Sequence, residues 1–215
     1  VRGFVRNLGV EGGMRPGDLE GGGGVVGVLT TCGLDTEAWR TAVAMRMCHK
    51  AGTDEGRLSL ANEHARGVLV ELGRRAGGEV GREAVARAIR FIARGEEGRR
   101  EFAADDVREV LVAMGLESRN DEVRMAVAAA IAHIAIECEQ GKRVMASEDV
   151  RAVLVAIGAT CGSDGARSAV VLAIKVIATR CALGQRVMAA RRAKLRAIGP
   201  RWRWRRWRAP ISGGG

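Results

Sequence analysis

The sequence contains no tyrosine, and aromatic residues make up only 3% of its 215 residues. Nearly half of the chain is nevertheless apolar, so its core must consist of alanine, valine, leucine, isoleucine and methionine. Such short aliphatic side chains suit helices that pack at close distance. No run of 18 uninterrupted apolar residues occurs, which argues against a membrane-spanning helix. These absences favour a helical protein with an aliphatic core.

Cysteines are few, odd in number and scattered, and no two of them form a C-x-x-C pair. Disulfide frameworks and zinc sites both need tighter grouping, and no N-x-S/T glycosylation sequence is present. We therefore predict an intracellular protein without a cofactor or metal, placed in the cytoplasm with the nucleus as the alternative. The five cysteines are Cys32, Cys48, Cys138, Cys161 and Cys181.

The net charge of +10 is concentrated near one end of the chain. The segment 191–215 holds nine of the 35 basic side chains and no acidic one, whereas the segment 1–190 holds the other 26 basic side chains and all 25 acidic ones. The body of the protein is therefore close to neutral, and any affinity for polyanions belongs to the terminal segment.

A glycine preceded by a leucine at the fourth position before it recurs five times at nearly constant intervals. The clearest copies read VREVLVAMG and VRAVLVAIG. A period of roughly 40 residues predicts a solenoid, in which each unit buries its apolar face against its neighbours. Each glycine is predicted to end a helix at C′, where a left-handed conformation favours glycine. The pairs are Leu29 with Gly33, Leu69 with Gly73, Leu111 with Gly115, Leu154 with Gly158, and Leu195 with Gly199.

Further phrases divide each period into three helices. A phrase such as GKRVMA predicts a short helix, and the N-cap residue and first-turn acids that follow predict a second helix with the leucine phrase. Apolar residues at i, i+3, i+4 and i+7 then predict a longer third helix, with alanines at its close crossings. The short helices are predicted from Gly56, Gly98, Gly141 and Gly184, and the N-caps of the second helices are Asn62, Asp105 and Ser147. The third helices are predicted to start at Asn120 and Asp121 or at Ser163 and Asp164, and their aligned alanines, Ala88, Ala130 and Ala173, are each followed by an isoleucine, Ile89, Ile131 and Ile174.

Short, medium and long helices within one such period resemble the armadillo repeat, although HEAT repeats share the period. The resemblance is carried by AVAAAIAHIAIECEQ followed by GKRVMASEDVRAVLVAIG and covers roughly Val25 to Gly199. It implies an all-α fold, a right-handed α-solenoid of about four armadillo-like three-helix repeats. We predict a flexible Gly-rich segment over residues 1–24, the repeat array over 25–199, and a disordered basic Arg/Trp-rich tail over 200–215.

The N-terminal segment also matches G-x-G-x-x-G at Gly22, Gly24 and Gly27. A dinucleotide site needs a strand before this motif and a βαβ unit around it. The residues before Gly22 are Gly-rich and do not predict a strand, so we interpret these glycines as linker.

The armadillo resemblance implies that the third helices line a concave groove for a partner segment. The Trp and Asn ladder of nuclear-import receptors has no counterpart here, which argues against that role. An uneven groove is predicted instead, basic at one end and apolar further on, for an acidic or amphipathic protein or peptide. In the alternative interpretation its apolar members are core residues and its arginines a solvated face. The groove residues are Arg87, Arg90, Phe91, Arg94, Ala129, His133, Leu172 and Val176.

No pattern of nucleophile, base and acid points to catalysis. His133 lies inside a long predicted helix without a nearby nucleophile or metal-ligand spacing, and a partly buried structural role fits it better. We therefore predict a non-enzymatic protein-interaction scaffold without a small-molecule substrate.

The alternative function lies in the tail, where arginine alternates with tryptophan in RWRWRRWR. Such a segment combines cationic charge with aromatic rings, which favours an anionic membrane surface or nucleic acid. Two other interpretations stand against a function of this segment. It is either an unstructured terminus without a partner or a translation artefact of G-rich codons. The residues are Arg201, Trp202, Arg203, Trp204, Arg205, Arg206, Trp207 and Arg208.

Overall fold

The computed structural model describes residues 36–179 and 181–189, which form 11 α-helices without any β-strand among them. The predicted all-α fold is confirmed, and helices of short, medium and long size follow one another in the predicted order. The long helices are α1 (Glu37–Lys50), α4 (Glu79–Ile92), α7 (Asp121–Ala135) and α10 (Asp164–Ala178). The short helices are α2 (Asp54–Leu60), α5 (Glu96–Glu101), α8 (Glu139–Met145) and α11 (Ala182–Ala189), and the medium helices are α3 (Glu63–Arg74), α6 (Asp105–Glu117) and α9 (Glu148–Thr160).

Most of the predicted helix starts are present. Asn62, Asn120 and Ser163 hold the N-cap positions. Their side-chain oxygens accept hydrogen bonds from backbone amides at 2.9, 2.7 and 3.3 Å, respectively. Each bond satisfies a donor that has no partner inside its own helix. These local signals therefore position α3, α7 and α10 as the sequence predicts.

One predicted N-cap, Asp105, is wrong, and another, Ser147, holds its predicted position without the expected capping bond. The N-cap of α6 is Ala104, and Asp105 is the first helical residue, where its carboxylate still interacts favourably with the helix dipole. Ser147 holds the N-cap position of α9 but makes no capping bond. At both helices an aspartate in the first turn accepts a hydrogen bond from the amide of the next residue instead. Asp106 accepts from Val107 at 2.8 Å, and Asp149 accepts from Val150 at 2.9 Å.

The core is aliphatic, as the composition predicts. Leu69, Leu111 and Leu154 of the medium helices are fully buried, and so are the aligned alanines of the long helices. Phe102 is the one aromatic side chain that is fully buried within the described residues. Ile174 is only half-buried, because it lies on α10, the last long helix of the described region.

Helices of one size pack against the next helix of the same size. The long helices contact one another in the order α1, α4, α7, α10, the medium helices in the order α3, α6, α9, and the short helices in the order α2, α5, α8, α11. Neighbouring medium and long helices also pack within each unit. The described helices of each size therefore pack in the order in which they occur in the chain.

A ladder of carboxylates links each long helix to the start of the next. In each case the carboxylate of the first residue of a long helix accepts hydrogen bonds. The donors lie in the turn just before the next long helix, far away in the sequence. The bonds run to Glu37 from the amides of Gly77 and Gly78 (3.1 Å each), to Glu79 from the Ser118 hydroxyl (2.6 Å) and the Arg119 amide (3.3 Å), and to Asp121 from the amides of Gly162 and Ser163 (2.8 Å each). The three carboxylates are equally spaced in the sequence, so the same contact recurs at each junction.

A second ladder of ion pairs links the medium helices. Arg66 of α3 lies 3.6 Å from Asp106 of α6, and Arg108 of α6 lies 3.4 Å from Asp149 of α9. The first-turn acids therefore interact with the preceding unit as well as with their own helix dipole.

The three recurring glycines within the described residues do not end helices, and the role predicted for them is wrong. Gly73, Gly115 and Gly158 lie inside α3, α6 and α9, and none has a left-handed backbone. A Cβ on Gly73 would lie 2.4 Å from Cγ1 of Val110, a residue of the next medium helix. Close helix packing therefore explains Gly73 and Gly115, whereas Gly33 and Gly199 lie outside the described residues.

The glycines of the short helices have a related role. A Cβ on any of them would collide with a backbone carbonyl oxygen near the end of the preceding long helix, so each short helix crosses that helix end at backbone contact. The glycines and the carbonyls are Gly56 with Lys50 (1.8 Å), Gly98 with Ile92 (2.1 Å), Gly141 with Ile134 (2.1 Å) and Gly184 with Ile177 (2.1 Å).

Of the predicted segments, 1–24 and 200–215 lie outside the described residues, as do 25–35 and 190–199 of the predicted array. In the part of the chain that the structure describes, no helix combines the length and apolar character needed to cross a bilayer.

Candidate interaction face of the long helices

The eight predicted groove residues lie on three long helices that pack in sequence, or directly after one of them. Arg87, Arg90 and Phe91 belong to α4, and Arg94 follows in the turn after it. Ala129 and His133 belong to α7, and Leu172 and Val176 to α10. We call this set the long-helix face.

The long-helix face is unevenly exposed. Arg87, Arg94 and Leu172 are exposed, whereas Ala129 is 7% exposed and contributes little to any contact surface. Arg90, Phe91, His133 and Val176 are half-buried, and both Phe91 and Val176 pack partly against the core. The core interpretation therefore holds in part for the apolar members.

Arg87 already has an acidic partner. Its guanidinium donates to a carboxylate oxygen of Glu83 at 2.9 Å, and this bond raises the pKa of Arg87. The i, i+4 spacing of these two residues on one helix is a signal that the sequence contains. Arg87 therefore adds less positive charge to the face than its position predicts.

Arg90 and Arg94 both lie close to the ring of Phe91. Their guanidinium carbons lie 5.8 and 4.8 Å from the ring centroid, within the range of a cation–π contact. Burial, followed by repulsion from Arg94 and Arg87, lowers the pKa of Arg90. Among the described residues, neither Arg90 nor Arg94 has a carboxylate within ion-pair distance, and the buried Nε of Arg90 has no hydrogen-bond acceptor.

His133 lies across from these arginines on the last turn of α7. Burial lowers its pKa to about 4, and the charges of Arg90, Arg94 and Arg99 act in the same direction. The imidazole is therefore neutral at pH 7 and offers one N–H donor and one acceptor nitrogen. We call Arg90, Phe91, Arg94 and His133 the arginine–histidine cluster.

Sequence reasoning misses Arg99, which reaches this cluster from α5. Its guanidinium donates to the backbone carbonyl of Arg94 at 2.9 Å and lies 3.9 Å from the carboxylate of Glu137. Glu137 has a left-handed backbone with φ of 52°, a conformation that its residue type does not favour. This tertiary arrangement is what brings Arg99 to the cluster and gives it a counter-charge.

The face becomes apolar at α10. Leu172 is 41% exposed and its neighbour Val171 is 38% exposed, so α10 presents aliphatic surface to solvent. Together with the half-buried Val176 they extend the surface beyond the cluster. The face therefore has a cationic part on α4 and α7 and an apolar part on α10.

The described cysteines make structural contacts. The Sγ atoms of Cys138 and Cys181 accept the amides of Gly141 and Gly184 at 3.3 Å and so cap α8 and α11. Burial raises the pKa of the Cys48 and Cys161 thiols, which disfavours the reactive thiolate. Within the described residues, no group of three or more His, Cys, Asp or Glu side chains could hold a metal ion.

The predicted polyanion-binding residues of the tail, 201–208, lie outside the described residues. Comparison of the sequence with known protein families gives no match, and no curated protein matches it either.

Proposed function

We propose that this chain is an armadillo-like solenoid that serves as a non-enzymatic protein-interaction scaffold, and that its long-helix face binds an acidic amphipathic segment of a partner protein. One observation carries the proposal: the long-helix face contains both uncompensated cations and exposed apolar surface. Arg90 and Arg94 have no carboxylate partner among the described residues, and Leu172 is exposed on a later helix of the same face.

Repetition of the same contacts supports the solenoid. The carboxylate ladder, the arginine–aspartate ladder and the glycine–valine contacts each recur from one unit to the next at nearly the same interval. Layers that repeat one junction geometry generate a superhelix, which we take to be right-handed. A short helix before each medium and long pair favours armadillo-like units over two-helix HEAT units.

The distribution of charge supports an acidic partner. Guanidinium groups that are half-buried without an anion are poorly compensated, and a carboxylate that binds them forms charge-assisted hydrogen bonds. An acidic side chain at one end of a bound segment would relieve the repulsion between Arg90 and Arg94. An apolar side chain further along the segment would cover Leu172, at about 25 cal/mol per Å² of apolar surface removed from water.

Selection from a peptide library tests this proposal. Random peptides displayed on phage are selected against the whole chain and then measured by calorimetry against three variants. We expect the selected peptides to be acidic and to contain aliphatic residues. We also expect R90E/R94E and L172E to weaken their binding by about tenfold or more, the scale of one lost charged contact.

R100E is the matched control, because Arg100 is exposed on α5 and paired with Glu96, away from the long-helix face. Peptides without acidic bias, or peptides that bind R90E/R94E as tightly as R100E, would overturn the assigned face. The loss of binding to R90E/R94E should become smaller as the salt concentration rises, because salt screens the exposed charge of Arg94.

A further inference from the structure

The arginine–histidine cluster carries two positive charges without counter-charge. Arg87 is paired with Glu83, Arg99 lies near Glu137, and His133 is neutral at pH 7. Arg90 and Arg94 therefore account for the local excess among the described residues. The anion that best compensates this excess carries two negative charges on one compact group.

The geometry of the cluster also favours such a group. The two guanidinium carbons lie 5.8 and 4.8 Å from the centroid of one ring, which places both cations beside Phe91. Guanidinium forks match the oxygens of a phosphate, and each can donate two bonds to it. A phosphomonoester carries a charge of about −1.5 to −2 at pH 7, whereas a carboxylate carries one and would leave one arginine uncompensated.

We propose that the arginine–histidine cluster is a binding site for a phosphomonoester carried on the partner segment, that is, for a phosphorylated serine or threonine. In this site Arg90 and Arg94 bind the phosphate oxygens, and the neutral imidazole of His133 donates its one N–H. Phe91 forms an apolar wall beside both guanidiniums. This inference rests on the proposed scaffold function, because it assigns one residue of the bound segment.

A phosphate attached to a chain fits the site better than free phosphate does. Arg94 is exposed and the cluster is open to solvent, so water competes for the same donors and isolated phosphate gains little. The apolar surface at Leu172 lies on a neighbouring helix and supplies further contacts only to a ligand that extends across α7. Affinity should therefore rise from inorganic phosphate to phosphoserine in a peptide.

The first experiment uses small probes and does not depend on any partner. Inorganic phosphate, phosphoserine and glutamate are titrated at constant ionic strength into the whole chain, and the His133 ring signal is followed by NMR. This signal is assigned by its loss in H133Q, since His49 and His64 are the other two histidines. We expect phosphoserine and phosphate to shift the His133 signal and glutamate to shift it several-fold less.

The variants R90Q, R94Q and R100Q test the assignment of the donors. R90Q and R94Q should each weaken phosphoserine binding about tenfold or more, and R100Q should leave it unchanged. Arg90 is half-buried, so if R90Q unfolds, R94Q alone decides, because Arg94 is exposed in a turn. Equal binding of glutamate and phosphoserine, or phosphoserine binding that survives R94Q, would overturn the phosphate site.

The second experiment distinguishes this inference from the scaffold function. An acidic peptide selected by the library is synthesised with serine, glutamate or phosphoserine at each acidic position in turn. At one position phosphoserine should bind about tenfold or more tightly than glutamate, and R94Q should remove that gain. If every phosphoserine binds no better than glutamate, the phosphate site is wrong while the scaffold function stands. If no peptide binds but phosphoserine still shifts His133, the scaffold function is wrong and the cluster is an anion site only.

Discussion

Gly115 of α6 lies so close to Val153 of α9 that a Cβ on the glycine would be 2.5 Å from Cγ2 of the valine. Gly73 has the same relationship to Val110 one unit earlier, at 2.4 Å. Gly158, the third member, has only Val170 at 3.6 Å, because no later medium helix belongs to the described residues. The recurring glycine therefore sets how closely consecutive medium helices approach.

Gly115→Ala should destabilise the protein. The added methyl would meet the stiff side chains of Val153 and Val127, at 2.5 and 3.2 Å, and both are fully buried. We expect a net loss of about 1–2 kcal/mol in the free energy of unfolding, since overpacking outweighs the better helix propensity of alanine. Urea unfolding followed by circular dichroism measures it.

Gly67→Ala is the matched control for this substitution. Gly67 lies inside α3, and a Cβ there would have no atom within 4 Å. Alanine should therefore raise stability by about 0.5–1 kcal/mol through helix propensity alone. Equal effects of the two substitutions would contradict the packing role of Gly115.

Gly141→Ala should cost more than Gly115→Ala. The new methyl would lie 2.1 Å from the carbonyl oxygen of Ile134, and backbone yields less than a valine side chain. Either α8 or the end of α7 must move, so we expect a loss of about 3 kcal/mol or more, beyond the usual range for overpacking. The same unfolding titration measures this, and a cost below that of Gly115→Ala would contradict the close crossing.

Asp121→Ala should weaken the junction between two units. It removes the acceptor of the amides of Gly162 and Ser163, both at 2.8 Å. Charge-assisted bonds at a partly exposed site contribute about 1–2 kcal/mol together. Hydrogen exchange of these two amides should rise in the variant, together with the loss of global stability.

Asp164→Ala provides the comparison for Asp121→Ala. Asp164 is likewise the first residue of its long helix, so both substitutions lose the same interaction with the helix dipole. Within the described residues, its carboxylate bonds Arg167 of its own helix rather than amides of a later unit. A loss at Asp164 as large as that at Asp121 would mean that the ladder adds nothing beyond the dipole.

His133 should make the protein less stable in mild acid. Its pKa is about 4 in the folded protein and about 6.5 in an unfolded chain, so the unfolded state binds more protons between these values. Stability from this group is complete above about pH 6.5 and falls as the pH drops towards 4, by about 1–3 kcal/mol after allowance for partial exposure. H133Q should remove this part of the pH dependence, and identical pH profiles of the two proteins would contradict it.

The alternative function of the tail makes a separate prediction. Binding of the whole chain to anionic liposomes or single-stranded oligonucleotides should weaken steeply with salt and should be lost when residues 200–215 are deleted. Equal binding by the full and truncated chains, or no binding by either, would remove this function. Neither result bears on the long-helix face, because its peptide ligands are measured separately.

Some features of the long-helix face could be predicted from the sequence, and others could not. The repeat period aligned Arg87 with Ala129 and Phe91 with His133, and the pairing of Arg87 with Glu83 could have been read from their i, i+4 spacing. The contribution of Arg99 could not be predicted, because it depends on how α5 is placed beside α7. Exposure of Leu172 and burial of Ala129 at equivalent positions also depend on neighbouring helices rather than on either residue.

The sequence by itself determined the class of fold, the order of short, medium and long helices, and most of their starts, because caps and apolar spacing act within a short stretch of chain. It also marked the recurring glycines but gave the wrong reason for them. Only the tertiary structure decided that Gly73 and Gly115 allow two helices to approach closely instead of ending one helix. It also decided that Glu37, Glu79 and Asp121 join successive long helices. The physical reason is distance along the chain: these contacts join residues about 40 positions apart, and a recurring pattern aligns such residues without showing what each one touches.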